Sequence, residues 1–82
     1  MGGRSGSRTA SHTHLVRVGP RIFALTRAQH AIVRAAQAAA PEPLPTEARH
    51  RRSLSILVTI GAGTYNTDNN TFTLNEGVHL IQ

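Results

Sequence analysis

Cysteine is missing from all 82 residues, which excludes a disulfide framework, a thiolate nucleophile and a soft zinc cage. Lysine is missing too. The nine basic side chains are all arginine, so the net charge of +5 sits on guanidinium groups suited to planar, bidentate contacts with carboxylate or phosphate. Aromatic residues are scarce, two Phe and one Tyr, which argues against a stacking platform for nucleic-acid bases. Long apolar runs are absent as well: Ile56-Leu57-Val58 stops at Thr59 and Ile22-Phe23-Ala24-Leu25 at Thr26, far short of the roughly 18 residues a membrane span requires. The N-terminus lacks the apolar stretch of a secretory signal, and Gly6 stands where a myristoylation motif needs Ser or Thr. The expectation is a soluble chain of a virion or the cytoplasm, with no membrane partner.

Catalytic patterns are equally wanting. No nucleophile elbow surrounds any serine, and Gly61-Ala62-Gly63 is not followed by the Gly-Lys-Ser/Thr of a phosphate loop. His12-x-His14 has a spacing two metal ligands can use, but no third ligand lies nearby in sequence. Asn69-Asn70-Thr71 fits the glycosylation acceptor pattern and reads first as a turn. The expectation is a non-enzyme with no metal, no cofactor and no small-molecule substrate. A chain this short forms one domain at most and has little core to spare, so partners are expected to contribute to its stability.

What is present is divided electrically. Residues 1–52 hold nine Arg against Glu42 and Glu47, a balance of +7, while residues 53–82 hold only Asp68 and Glu76, a balance of −2. Such asymmetry suggests a basic arm joined to a neutral module. Residues 1–14 are Gly, Ser, Thr, Arg and His with almost nothing to bury, and are expected to be disordered or held by a partner.

Residues 15–40 read as β-β-α. Two short β-prone runs, 15–18 and 21–25, flank Gly19-Pro20, and a helix over about 26–40 follows. Thr26 and Gln29 form a capping-box pattern, Ala28, Ala31, Ile32, Ala35, Ala36 and Ala39 repeat at helical spacing, and Pro41 stops the run. Arg27, His30, Arg34 and Gln37 would form the opposite, cationic face. Residues 41–52 read as a linker, stiff at Pro41, Pro43 and Pro45 and densely positive at Arg49-His50-Arg51-Arg52. Residues 53–82 read as an antiparallel β module. Leu54, Ile56, Val58 and Ile60 alternate with polar neighbours as a half-buried strand does, Leu57 being the exception, and Gly61-Ala62-Gly63 would end that strand in a bend or bulge. A hairpin over 64–74 then turns at Asp68-Asn69, with Tyr65 across from Phe72 as internal support, and 78–81 forms a last strand. The fold class expected is α+β: an extended basic arm, one short helix, a proline-rich linker and a small C-terminal antiparallel sheet.

Tyr65-Asn66, Phe72-Thr73 and Gly77-Val78-His79-Leu80-Ile81 together resemble the "aromatic, short hairpin, Phe-Thr, Gly-x-Tyr-x-Phe" passage of complement-head and tumour-necrosis-factor-like jelly rolls. The likeness covers residues 63–82, a histidine replaces the usual tyrosine, and the segment from Phe72 to Gly77 is shorter by a residue. It implies a trimeric recognition or adhesion module of the kind also found in viral fibres and capsid decorations. The chain would then be a fragment of a jelly roll, or would complete its sheets with neighbouring strands.

Two functions remain open from sequence. The first is a structural component of a larger assembly, a capsid- or fibre-associated accessory protein of a virion. It would dock on other protein subunits through Arg49, Arg51, Arg52, Arg27, Arg34, Arg4 and Arg8 and oligomerise through its C-terminal sheet, with a homotrimer as one arrangement. The second is an Arg-rich nucleic-acid-binding accessory protein, ribosome- or nucleoid-associated, whose binding would weaken steeply with salt.

Overall fold

The computed structural model describes residues 14–81. The arm expected over 1–14 lies outside the described residues apart from His14, and so do Arg4, Arg8 and His12.

The two short strands form where expected, and they pair as a hairpin. Strands β1 (Leu15–Val18) and β2 (Arg21–Ala24) pair antiparallel around Gly19-Pro20, with Val16 across from Phe23. Helix α1 (Arg27–Ala39) begins at the expected cap: the Gln29 N–H donates to Thr26 Oγ1 at 3.1 Å and the Thr26 N–H donates to Gln29 Oε1 at 2.9 Å. These reciprocal bonds let Gln29 be buried without an orphaned amide oxygen.

The buried face of α1 is not the alanine face. Gln29, Ile32, Val33 and Ala36 are buried, whereas Ala28, Ala31 and Ala35 are exposed. Burying a branched side chain such as Ile32 or Val33 is worth about 1.5–3 kcal/mol, and alanine offers far less area, so the helix is turned to bury those two. Arg27 and Arg34 remain on the exposed face, while His30 is half-buried.

The proline-rich stretch is part of a sheet. After the cis Ala40–Pro41 bond, Leu44–Pro45 forms a short strand, β3, that pairs with the later strand β5 (Thr71–Leu74), Leu44 facing Phe72. An extended proline segment can serve at a sheet edge, where its missing N–H faces solvent. Thr46 extends the contact, its N–H and hydroxyl both donating to the Asn70 carbonyl at 2.9 and 2.8 Å.

The strand expected over 53–60 is a helix instead. A 3₁₀ turn, Ala48–His50, leads into α2 (Arg51–Thr59), which buries Leu54 and Leu57 and leaves Ile56 and Val58 exposed. Leu57, the exception to the alternation, is fully buried. Its spacing of three from Leu54 is the helical signal. Gly61 closes the helix rather than bending a strand: at φ 85° it lets its N–H donate to the Val58 carbonyl at 3.0 Å while the Ala62 N–H reaches the Leu57 carbonyl at 2.9 Å, a Schellman cap.

Strand β4 (Gly63–Asn66) then pairs with β5, and Tyr65 lies across from Phe72 as the sequence suggests. The turn between them is built from local bonds: the Asp68 N–H donates to Asn66 Oδ1 at 2.8 Å, Thr71 Oγ1 to Asn69 Oδ1 at 2.7 Å, and Asn70 adopts φ 57°. Strand β6 (Val78–Ile81) leaves this hairpin and pairs with β1. Two three-stranded antiparallel sheets result, ordered β2-β1-β6 and β3-β5-β4. The C-terminal sheet is therefore not self-contained. The largest fully buried side chains, Phe72, Leu57, Val16 and Val33, come from both sheets and both helices and meet in one core.

Candidate functional site

Three surface features are distinct from the core. The first is a cleft of about 650 Å³ between α2 and β4. Arg51, Leu54, Ser55, Val58 and Thr59 line it from one stripe of the helix, and Tyr65, Thr67 and Asn70 line it from the strand and its turn. The helical positions recur every three or four residues and so share a face. The Tyr65 ring is held in place because its hydroxyl donates to Asn70 Oδ1 at 3.0 Å, and Thr59 Oγ1 donates back to the Ser55 carbonyl at 2.9 Å. The floor is apolar, and the one charged group on its wall is the Arg51 guanidinium.

The arginines expected to act together are divided by the fold. Arg49 lies in the 3₁₀ turn, where its Nε meets Glu47 Oε1 at 3.0 Å, with both side chains largely exposed. Arg51 faces the cleft, and Arg52 is exposed further round α2. Arg27 and Arg34 project from α1. Among the described residues the Arg49–Glu47 contact is the one ion pair, and an exposed pair of this kind contributes little to stability.

The second feature is the outer face of the β2-β1-β6 sheet. Pairing register places Leu15, Ala24 and Ile81 in one cross-strand row and Arg17, Ile22 and His79 in the next, all on the side away from Val16. Ile22 is 54% exposed, the most exposed large apolar side chain among the described residues. Leu15, Ile22, Ala24 and Ile81 form its apolar part.

The third is a histidine pair. The His14 and His30 rings meet edge to face, centroids 4.8 Å apart. Burial, then His14, then Arg34 push the His30 imidazole below its ordinary pKa of 6.5. Among the described residues no group of three or more His, Cys, Asp or Glu is arranged to hold a metal ion.

Tyr65 and Phe72 have separate roles: Phe72 is fully buried, and Tyr65 is half-buried at the cleft wall. Sequence reasoning missed the helical side of the cleft, Leu54, Ser55, Val58 and Thr59. The signals that would have revealed it were the Leu54/Leu57 spacing and Gly61 just past the last apolar position. No helix among the described residues is long and apolar enough to cross a membrane. Comparisons with protein-family models, curated proteins and solved structures give no match.

Proposed function

We propose that this chain is a non-enzymatic structural component of a larger protein assembly, a virion-associated accessory protein that meets copies of itself through the β2-β1-β6 sheet and other subunits through its arginines. The observation that carries the reading is the outer face of that sheet, where Leu15, Ile22, Ala24 and Ile81 lie together and Ile22 is 54% exposed. These four apolar side chains lie beside Arg17 and His79 on a sheet whose two edge strands, β2 and β6, have open edges that can pair with another chain.

Its size limits how it works. Three strands about 4.8 Å apart and four residues of about 3.3 Å each cover roughly 200 Å². A stable interface buries about 800 Å² per partner. The face must therefore be extended by its edge strands and by the basic segments, which is how a subunit held at several points in an assembly would dock. The virion itself rests on the jelly-roll-like passage in residues 63–82.

Sedimentation equilibrium of the full chain over a wide concentration range tests this. Reversible association, abolished by Ile22→Asp without loss of the folded circular-dichroism spectrum, is expected; a strict monomer at every concentration refutes it.

The second reading, a nucleic-acid-binding accessory protein, is favoured by the exposed Arg27, Arg34, Arg51 and Arg52, none of which has a carboxylate partner among the described residues. A retardation assay with duplex and single-stranded substrates at two salt concentrations separates the two. No shift at low salt removes this reading.

A further inference from the structure

The cleft beside α2 combines three properties. The first is an edge strand at its side: Tyr65, which lines the cleft, belongs to β4, the last strand of its sheet, bonded to β5 on one side only. Its other side carries backbone N–H and C=O groups free to pair with another chain. The second property is length. From Arg51 to Thr59 the helix rises about 12 Å at about 1.5 Å per residue, room for three or four residues of extended chain at about 3.3 Å each. The third is charge. Residues 60–62 return the chain antiparallel beside α2, which sets Arg51 at the hairpin-turn end of the cleft with Thr67 and Asn70. No acidic side chain lines the cleft, and Asp68, next to Thr67, makes no ion pair with Arg51.

We infer that this cleft binds an extended acidic segment of a partner protein, which adds as a strand along the free edge of β4. Side chains of an added strand alternate between the cleft and solvent. One inward side chain is aliphatic and packs on Val58 and the Tyr65 ring. The next inward one, two residues along, is Asp or Glu and meets the Arg51 guanidinium in a charge-assisted, bidentate contact. A single-stranded nucleic acid fits less well, because its backbone needs a track of cations and the cleft wall has one. The inference rests on the reading that the chain docks on protein, but it uses a surface separate from the outer sheet face.

The test is selection of random seven-residue peptides displayed on phage against the immobilised full chain, followed by titration of the synthetic consensus peptide. The expected consensus has an aliphatic residue and an Asp or Glu two positions apart. Its affinity should fall about tenfold or more in Arg51→Ala and in Val58→Asp, and stay unchanged in Gln37→Ala. Val58 is 40% exposed, so its substitution leaves the core intact, and a thermal melt of each variant checks this. In the labelled chain, binding should move the amide signals of Thr64, Tyr65 and Asn66. The inference is overturned if no sequence enriches above the blank. It is equally overturned if the consensus binds Arg51→Ala and Val58→Asp as well as the parent, or if oligothymidylate or decanoate takes the cleft in an Arg51-dependent way while peptides do not. If sedimentation still shows Ile22-dependent association in any of these cases, only the cleft inference is lost; if it shows none, the docking reading falls with it.

Discussion

Two glycines, Gly61 just past the helix and Gly63 at the start of β4, bracket the point where the fold departs most from the sequence pattern, and substituting each by alanine tests that point. A Cβ at Gly61 would meet only Val18 Cγ1 at 3.6 Å, an ordinary contact, so the cost of Gly61→Ala is that of holding alanine at φ 85°. That cost is about 1–2 kcal/mol. At Gly63 there is no positive φ to hold, but a Cβ would strike the Phe72 ring, with Cε1 at 2.7 Å and Cζ closer still, and the Thr73 carbonyl oxygen. Phe72 is fully buried and the carbonyl belongs to the paired strand β5, so neither can move aside. Overpacking of this kind costs about 3 kcal/mol, the upper part of its usual range. At about 0.05–0.15 kcal/mol per residue a domain of this size has total stability of about 4–12 kcal/mol, and each kcal/mol moves its melting temperature by roughly 4–8 °C. Thermal and urea unfolding by circular dichroism should therefore show a loss of roughly 4–16 °C for Gly61→Ala and at least 12 °C, or failure to fold, for Gly63→Ala. If Gly61→Ala is neutral or stabilising, no Schellman cap exists and residues 51–59 are not the helix described. If Gly63→Ala costs no more than Gly61→Ala, β4 does not pack on Phe72.

Other expectations follow from the same contacts. Leu57→Ala should cost about 2–5 kcal/mol and Val58→Ala under about 1 kcal/mol, because Leu57 is fully buried and Val58 is 40% exposed; a strand over 53–60 would reverse that order in the same urea titrations. Thr26→Ala removes the acceptor for the Gln29 N–H and uncaps α1, for about 1 kcal/mol read as a drop in urea midpoint. The His30 imidazole is held below its ordinary 6.5 first by burial and then by His14 and Arg34, so the unfolded chain takes up its proton at higher pH than the folded one. Stability is thus full above pH 6.5 and declines as pH falls through the folded value; His30→Gln should flatten that slope in unfolding curves taken from pH 7.5 downward, and an unchanged slope would remove His30 as its cause.

What could be read in the chain was what local bonds decide. The α1 cap needs only Thr26 and Gln29, and the turn from β4 to β5 needs only residues 66–71, so both were legible. The helix over 51–59 was not, because Leu54, Ile56, Val58 and Ile60 satisfy a period of two and only Leu57 and Gly61 argue otherwise. Tertiary packing decided, burying Leu54 and Leu57 against the shared core. Pairing of β6 with β1 joins opposite ends of the described chain, and no short-range pattern specifies such a contact. The cleft was hidden for a related reason: Arg51 stood out as charge, but its apolar neighbours become one wall only when 51–59 is helical. The outer sheet face depended on the register of three strands, which fixes Ile22, Leu15 and Ile81 on one side.

The docking role is tested most directly by following the amide and methyl signals of the isotopically labelled full chain as it is diluted from millimolar to micromolar concentration. Concentration-dependent shifts confined to β1, β2 and β6, centred on Leu15, Ile22, Ala24 and Ile81 and absent from the Ile22→Asp variant, are the predicted result. A spectrum that does not change with concentration, in a chain that stays folded throughout, would contradict it.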